Sequence, residues 1–321
     1  MDWEGYWENL LEKKKLKARV DEMDQADQAR NSSFRIEDIC RKIYDNYQSR
    51  WRRELEEAKV EFQRIIEGFQ GVHLHSSRIK TIDSLLVKVI TKRYENLTNL
   101  QSPYYKINGE NYKDVITDLI GMRLIVNYRG KWEVIHREIL RTFPYVENLQ
   151  LYENGQLIPH AESGSSLLAE IPKVYYAQGD QVDEFKAQGL ETRLHKKGYR
   201  SIHYTVSFKK FYIEIQVRTI YDEAWSDCDH NYVYKQDENK SHSALESLSQ
   251  ILCDLTNISN DIGENMREIF ESESVEDLRD GSWSATAEQI QSFDQSIGRI
   301  EQAYQELKAF RSRLRNRRVS I

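Results

Sequence analysis

Apolar residues recur at three- and four-residue steps along the first part of the chain. From Ile36 to Phe69 they keep to one side of a helix, which predicts a single long amphipathic helix. Residues 31–33, Asn-Ser-Ser, provide a capping stretch before this helix, and Gly71 follows its end. Residues 1–30 are mostly charged and weakly patterned, so we expect one or two short surface helices there.

Two further stretches with heptad-like spacing lie nearer the carboxyl terminus. Apolar residues repeat through 245–269 and again through 290–314, with a break around Gly281. This pattern predicts an antiparallel helical hairpin that packs on this chain or on a partner. The arginine-rich stretch 311–318 is typical either of a solvated helix end or of a contact with RNA or another anion.

Alternating side chains at residues 211–217 predict a β-strand, which a turn of two lysines joins to a preceding strand. The period of two places Tyr212, Glu214 and Gln216 on one face and the apolar residues on the other. The polar face is either the solvated side of an antiparallel strand or part of a site. The basic, glycine-containing loop at 196–200 favours a site.

The middle of the chain predicts a mixture of short elements. Residues 115–128 pass from a short helix through a glycine into an apolar strand, 132–140 predict a helix, and 145–152 predict another strand. Asp118 is either a helix-terminus residue or a metal ligand, and the local sequence leaves both open. Residues 153–190 are irregular and contain several glycines, so we expect a mobile or lid-like insertion.

Basic residues precede a helix that we expect to begin near Thr81. Arg78 and Lys80 lie at or before its amino terminus, and Ser84 and Lys88 lie four residues apart on one face. Cations are unfavourable at the positive end of a helix dipole, unless an anion such as a triphosphate binds there. These residues are therefore either solvated surface cations or phosphate ligands.

Composition describes a charge-rich globular protein. The 321 residues are 39% hydrophobic and 31% charged, which suffices for one large or two modest domains. The sequence has neither an apolar run that could span a membrane nor the apolar core of a secretory signal, and its three cysteines are widely spaced. We therefore expect a cytoplasmic protein with reduced thiols and no membrane partner. The net charge of -6 argues against nucleic-acid binding by the whole surface, although local basic patches remain.

Five motifs occur in one order between residues 70 and 236. They are R-x-K-x3-S-x3-K at 78–88, D-L-x-G-x-R at 118–123, G-Y-R-S-I-H at 198–203, E-I-Q-V-R-T at 214–219 and A-W-x3-D-H-x3-Y-K at 224–235. One such motif is a weak signal, whereas five in order are specific. Together they resemble the synthetase domain of the RelA/SpoT family, the enzymes that make the alarmone (p)ppGpp. The sequence departs from the family at Asp229, where Glu is common, and at His195, where the small synthetases often have Lys.

The resemblance implies an α/β (α+β) fold. We expect a nucleotidyltransferase-like mixed β-sheet surrounded by helices, with helical extensions at both ends. The expected division is an N-terminal helical extension at 1–70, a synthetase domain at 71–236 and a C-terminal helical hairpin with a basic tail at 237–321.

The resemblance also implies a role for each matched residue on the ATP side. Arg78 and Arg123 would sandwich the adenine, and Lys80 and Lys88 would hold the phosphates, with Ser84 in the same site. Asp118 and Glu214 would bind Mg²⁺. Such a set suits phosphoryl-type transfer, which depends mainly on positioning and on charge neutralisation.

The implied acceptor side is built from the two later motifs. Tyr199 would stack on the acceptor guanine, with Lys197, Arg200 and His203 close to its phosphates. Glu214 would also help activate the acceptor hydroxyl, and Gln216 and Arg218 would support the site from the same strand.

The expected activity is Mg²⁺-dependent transfer of pyrophosphate from ATP to the 3'-hydroxyl of GDP or GTP. No HD-x3-HD hydrolase signature is present, so we expect synthesis without hydrolysis. The alternative is a toxin that pyrophosphorylates the 3' end of tRNA, which the helical additions and the arginine-rich tail favour slightly. The heptad-patterned helices would then bind an antitoxin, or serve self-association. A degenerate nucleotide sensor is disfavoured, because Asp118, Glu214 and Tyr199 are all present.

Overall fold

A mixed β-sheet of seven strands forms the centre of the molecule, with helices around it. The structure, a computed structural model, describes residues 2–30, 35–145, 166–234, 243–272 and 287–318. Within these ranges the strands are β1 (Leu74–Ile79), β2 (Ile120–Val126), β3 (Leu167–Leu168), β4 (Lys173–Tyr176), β5 (Glu191–Leu194), β6 (Ser201–Phe208) and β7 (Phe211–Thr219). The predicted mixed sheet surrounded by helices is confirmed.

The strand order brings distant motifs side by side. Across the sheet the order is β1, β2, β7, β6, β4 and β5, and the short β3 pairs with β6. β2 runs parallel to β7, and β4 runs parallel to β5, while the other pairs are antiparallel. The parallel contact between β2 and β7 joins the second motif to the fourth, with Gly121 directly opposite Glu214.

The register divides the sheet into an apolar face and a polar face. Met122 and Leu124 on β2 and Ile213 and Ile215 on β7 are fully buried on the apolar face. The alternation predicted for β7 is confirmed, except that Tyr212 on the other face is also buried, with 2% of its surface exposed. The short helix at Tyr112–Val115 packs against β7, which a strand pattern alone does not show.

Helices pack around the sheet. Within the described ranges they are α1 (Trp3–Lys14), α2 (Lys17–Ala29), α3 (Ile36–Asn46), α4 (Arg52–Ile66), α5 (Ile82–Glu95), α6 (Tyr112–Val115), α7 (Trp132–Thr142), α8 (Asp183–Ala187), α9 (Ile220–Asp229), α10 (Ser243–Ser272) and α11 (Ala287–Arg318). A 3-10 turn at Arg129–Lys131 leads into α7, and a π-helical turn at His230–Tyr234 follows α9.

The predicted long helix is interrupted rather than continuous α-helix. A π-helical turn, Tyr47–Trp51, separates α3 from α4, and α4 ends at Ile66 instead of Phe69. Buried residues recur at four-residue steps through 43, 47, 51 and 55. Because an α-helix turns every 3.6 residues, repeated steps of four drift away from one face. The wider π turn absorbs this drift and keeps the apolar stripe on the core.

The first two helices are confirmed, but they are not confined to the surface. Trp7 and Leu10 of α1 and Val20 and Met23 of α2 belong to the same hydrophobic core as the sheet. Met23 is completely buried. Their few apolar residues pack inward because α2 contacts both α3 and α5, which a weak pattern along the sequence does not reveal.

The prediction of a lid-like insertion at 153–190 is wrong for the residues that the structure describes, 166–190. This segment contains β3, β4 and α8, and Val174 on β4 is buried in the sheet. Strands of two and four residues are too short to show a period of two, so the pattern missed them. Residues 153–165 lie outside the described residues. So do residues 146–152 of the predicted strand at 145–152, and its first residue, Tyr145, is in none of the strands.

The two C-terminal helices pack against each other as predicted, but α10 also packs against α9, the helix that directly follows β7. The indole of Trp225 on α9 donates to the carbonyl of Ser249 on α10 at 2.9 Å. On α11 an apolar stripe is exposed, and it comprises Ile297, Ile300, Tyr304 and Leu307. Binding of an antitoxin, or self-association, through these helices stays a prediction. Within the described ranges, no helix is both long and apolar enough to cross a membrane.

Candidate active site

Predicted site residues lie in two rows across the polar face of the sheet. One row joins Arg78 on β1 to Glu214 on β7 across a glycine of β2. The next row joins Arg123 on β2 to Gln216 on β7 and His203 on β6. Residues directly opposite each other on neighbouring strands point to the same side. Five predicted residues from four strands therefore share one surface.

The Arg78 side chain lies against the glycine on the neighbouring strand. A Cβ placed on Gly121 would lie 3.6 Å from both Cγ and Nε of Arg78. The exposed Arg78 side chain thus lies across Gly121, beside the strand that carries Glu214. Because 3.6 Å is an ordinary van der Waals distance, an alanine would fit here, and this contact does not by itself require the glycine of the D-L-x-G-x-R motif.

Asp118 forms ion pairs with both predicted phosphate-binding lysines. Its Oδ2 lies 2.7 Å from Nζ of Lys80, and its Oδ1 lies 2.9 Å from Nζ of Lys88. Burial alone would raise the pKa of Asp118, but the two ammonium groups outweigh it and hold this pKa below its usual value. Burial lowers the pKa of Lys80, and Asp118 opposes that effect. The first two motifs thus meet in one compact charged cluster.

The helix that carries Lys88 begins as predicted near Thr81. The Thr81 hydroxyl accepts a hydrogen bond from the backbone N–H of Ser84 at 3.3 Å and caps α5. Ser84 is exposed in the first turn, and its own hydroxyl accepts from the Thr81 hydroxyl at 2.9 Å. Ser84 therefore lies at the helix amino terminus, one turn before Lys88.

Glu214 belongs to a closed ring of five side chains. Its Oε2 accepts a hydrogen bond from Nε2 of Gln216 at 2.7 Å, and its Oε1 lies 3.4 Å from Nδ1 of His203. Nε2 of His203 lies 2.9 Å from the hydroxyl of Tyr199. The guanidinium of Arg218 closes the ring by donating to both Tyr199 and Gln216.

This ring keeps the Glu214 carboxylate ionised. Burial would raise the pKa of Glu214, but contacts with His203, Lys88 and Gln216 lower it to below its usual value. Lys88 therefore acts on both predicted metal-binding carboxylates, because it also pairs with Asp118. The two carboxylates come from motifs almost 100 residues apart in sequence and share one lysine.

Arg218 is held by acceptors on all five of its N–H groups. They are Ser201 Oγ at 3.3 Å, Glu223 Oε2 at 2.9 Å, Ser226 Oγ at 2.9 Å, Tyr199 Oη at 2.5 Å and Gln216 Oε1 at 2.5 Å. Its side chain is only 4% exposed. The resemblance assigned Arg218 to acceptor binding, and the geometry shows that it fixes the orientation of Tyr199 and Gln216.

The aromatic platform predicted for the acceptor base lies at the edge of the ring. Tyr199 is partly buried, and the guanidinium carbon of Arg218 lies 4.9 Å from the centroid of its aromatic ring. Tyr175 on β4 makes an edge-to-face contact with it, at a centroid distance of 5.8 Å. Burial raises the pKa of the Tyr199 hydroxyl, so this hydroxyl remains a neutral donor and acceptor.

The other predicted acceptor residues differ in their surroundings. Arg200 makes a two-point ion pair with Asp180, at 2.7 and 2.9 Å. Lys197 is exposed at the start of the same loop. Gly198 has a φ of 85°, and a Cβ there would lie 2.5 Å from Sγ of Cys253 on α10. The backbone of this loop therefore touches α10, and Arg200 and Lys197 lie outside the ring around Glu214.

One residue that sequence reasoning missed connects the two sides of the site. Glu223 on α9 bonds to Nη1 of Arg123 at 2.5 Å and to Nη1 of Arg218 at 2.9 Å. The signal that could have found it is its place, five residues after Arg218, in the first turn of the helix that follows β7. A helix that starts directly at a strand end keeps its first turn beside that strand.

Asp118 and Glu214 are the carboxylates in the site that could serve as ligands of a magnesium ion. Mg²⁺ prefers oxygen ligands and often takes only one or two carboxylates from the protein, with water and substrate phosphates completing its coordination. Asp118 and Glu214 are both kept ionised and are both affected by Lys88. Among the described residues, no group of three or more His, Cys, Asp or Glu side chains could hold a metal ion by itself.

Comparison with known proteins identifies the family of this chain. The pattern described as "Region found in RelA / SpoT proteins" matches residues 77–239, about half of the 321 residues. The chain belongs to the RelA/SpoT family. The matched region contains all five motifs and every predicted site residue. No curated protein sequence matches the chain.

Solved structures similar to this RelA/SpoT-family chain include bacterial synthetases. Small alarmone synthetase 1 from Bacillus subtilis shares 16% identity, with a TM-score of 0.44, covering 72% of this chain and 98% of its own. A GTP pyrophosphokinase family protein from Streptococcus pneumoniae shares 15% identity, with a TM-score of 0.46, covering 71% and 95%. The family assignment rests on the sequence match and not on these values.

Proposed function

We propose that this protein transfers pyrophosphate from ATP to the 3'-hydroxyl of GDP or GTP and so makes the alarmone (p)ppGpp. The observation that carries the proposal is the pair of ionised carboxylates, Asp118 and Glu214, around the shared Lys88 on one face of the sheet. Membership of the RelA/SpoT family supports the same reaction. In this reaction the 3'-oxygen bonds to the β-phosphorus of ATP, the bond from that phosphorus to the oxygen of AMP breaks, AMP leaves, and the proton of the 3'-hydroxyl is released to solvent.

The ATP side supplies positive charge close to a carboxylate. Lys80 and Lys88 flank Asp118, and Arg78 lies on the neighbouring strand. A triphosphate brings negative charge that the two lysines can neutralise, while Arg78 and Arg123 present flat guanidinium groups to the adenine. Mg²⁺ held by Asp118 and Glu214 would stabilise the negative charge that develops on the transferred phosphates.

Glu214 on the acceptor side orients the 3'-hydroxyl rather than acting as the general base that takes its proton. A general base works best when its pKa lies near the working pH, and the pKa of Glu214 is lowered instead. The ionised carboxylate is suited to accept a hydrogen bond from the 3'-hydroxyl and to ligate the metal. Tyr199, fixed by Arg218 and His203, is placed to hold the acceptor base.

The test is a transfer assay with γ-labelled ATP and Mg²⁺, in which GDP, GTP and deacylated tRNA are offered in parallel. We expect label on GDP or GTP, and no labelled nucleotide from Glu214→Gln protein that melts like the wild type. Label on tRNA alone would contradict the proposal and favour the toxin interpretation, which stays a prediction. Omitting Mg²⁺ tests the metal requirement, and labelled nucleotide formed without it would contradict that part.

A further inference from the structure

The two sides of the active site are joined by a single carboxylate that no motif pointed to. Glu223 accepts hydrogen bonds through Oε1 from Arg123 of β2 and through Oε2 from Arg218 of β7. Arg123 belongs to the ATP side and is 29% exposed, whereas Arg218 supports the acceptor side and is 4% exposed. Glu223 itself is 22% exposed. One carboxylate oxygen therefore holds an arginine of the ATP side, and the other holds an arginine of the acceptor side.

The position of Glu223 is fixed by contacts of the residues on either side of it in the helix. The Thr219 hydroxyl caps α9, accepting from the N–H of Asp222 at 3.1 Å. Asp222, the residue before Glu223, is buried and accepts a hydrogen bond from Asn260 of α10 at 3.0 Å. Trp225, two residues after it, is tied to Ser249 of α10. The carboxylate is thus presented by a turn that cannot easily rotate.

Arg218 connects Glu223 by hydrogen bonds to the residues proposed to contact the acceptor. It donates to Gln216, which in turn donates to Glu214, and it also donates to Tyr199. A carboxylate that moved away from Arg218 would leave a buried guanidinium without the anion that balances its charge. Arg123 would at the same time lose its anchor beside the ATP side.

We propose that Glu223 is a positioning residue that holds Arg123 for ATP and Arg218 for the acceptor, so that both substrates depend on one side chain. The inference rests on the proposed function, because it assigns the two arginines to the two nucleotides. Gln in place of Glu223 keeps the size but is neutral, so it removes the charge that balances both guanidinium groups and turns an amide NH2, itself a donor, towards one of them. Asp keeps the charge but is one methylene shorter, so it can reach only one of them.

The experiment compares Glu223→Gln and Glu223→Asp with Asp227→Asn, a control on the same helix whose carboxylate is exposed. Calorimetry measures the binding of a non-hydrolysable ATP analogue and of GDP, each alone, and steady-state assays give KM for both substrates and kcat. Hydrogen bonds to charged groups contribute about 1.5–3 kcal/mol, so we expect Glu223→Gln to lower the affinity for each nucleotide about ten- to a hundredfold. Glu223→Asp should keep near-wild-type affinity for one of the two nucleotides only. Asp227→Asn should have wild-type affinity for both.

A second control separates positioning from general destabilisation. Ile139→Val changes a buried residue of α7 in the hydrophobic core, outside the active site, and lowers the melting temperature without touching either arginine. We expect it to leave both affinities unchanged. Equal weakening by Ile139→Val, or wild-type affinities in Glu223→Gln, would overturn the inference.

Failure of this inference is distinguishable from failure of the proposed function. Wild-type protein that binds both nucleotides but transfers no label would overturn the proposed function alone, and the binding measurements would still decide the role of Glu223. Weaker binding of only one of the two nucleotides in Glu223→Gln would overturn the inference but would not contradict the proposed function. Wild-type protein that binds neither nucleotide would overturn both.

Discussion

Replacement of Arg218 by lysine tests the ring around Glu214 most directly. The substitution keeps the charge, so the ion pair with Glu223 can persist. Lysine, however, offers three N–H donors from one nitrogen, whereas arginine offers five from a planar fork. At least two of the five acceptors that now contact Arg218 must therefore lose their donor.

The size of the effect follows from the burial of this side chain. A buried polar group that loses its partner costs about 1–3 kcal/mol. Two such losses predict a decrease of about 2–6 kcal/mol in the free energy of unfolding, with the lower values expected if a water molecule replaces one donor. Release of Gln216 and Tyr199 should also slow pyrophosphate transfer, because both contact the ring that holds Glu214.

Denaturant unfolding measures the stability change, and the transfer assay measures the rate. Arg141→Lys is the matched control, because Arg141 on α7 is 72% exposed and pairs only on the surface with Glu138 among its described neighbours. Exposed ion pairs contribute about 0–1 kcal/mol, so the control should change little. An Arg218→Lys protein within about 0.5 kcal/mol of the wild type, with normal turnover, would refute the reasoning.

Three further predictions concern the other parts of the site. Lys88→Gln should weaken binding of an ATP analogue about tenfold in calorimetry, because the ammonium group that pairs with Asp118 is lost. Lys92→Gln on the same helix should not weaken it, and equal effects of the two substitutions would contradict the role of Lys88. Gly198→Ala should lower the free energy of unfolding by more than Gly179→Ala, because Gly179 also has a positive φ but no neighbour within 4 Å. Adding Cys253→Ala to Gly198→Ala should restore part of the difference, and equal losses from the two glycine substitutions would disprove the close contact. The folded state lowers the pKa of Glu214 from 4.5 to about 2, so its ionised form stabilises the fold above about pH 4.5, and this contribution is lost as the pH falls through about 2. Unfolding at pH 6 and pH 3 should therefore show a smaller pH dependence for Glu214→Gln than for the wild type, and identical pH dependences would count against the lowered pKa.

The sequence predicted the chemistry of the site better than its internal contacts. The polar side of β7 was read from alternation alone, and the five motifs named the lysines and carboxylates that the structure brings together at Asp118 and Glu214. These signals are local, since each depends on residues within one strand or one loop. The same local signals assigned Arg218 to the acceptor, although its five acceptors come from β6, β7, the acceptor loop and α9.

Contacts between distant segments account for what the sequence left out. Glu223 belongs to no motif, because its role depends on a hydrogen bond from Arg123, which lies 100 residues earlier in the sequence. The short strands at 167–168 and 173–176 exist because β6 offers hydrogen-bonding partners, and two or four residues carry too little pattern to be recognised without it. Burial of α2 similarly depends on α3 and α5, which its own weak pattern does not contain.

The sequence by itself determined where most of the helices and the strand β7 lie, because hydrophobic period is a property of neighbouring residues. The resemblance of its five motifs to the RelA/SpoT family implied the mixed sheet and the residue types needed for phosphate chemistry. Tertiary structure alone decided which of those residues touch. The parallel pairing of β2 with β7 places Gly121 opposite Glu214, and the start of α9 at the end of β7 places Glu223 between two arginines. Hydrogen bonds between groups so far apart in sequence form only when the chain has folded, so their partners are set by the register of the sheet.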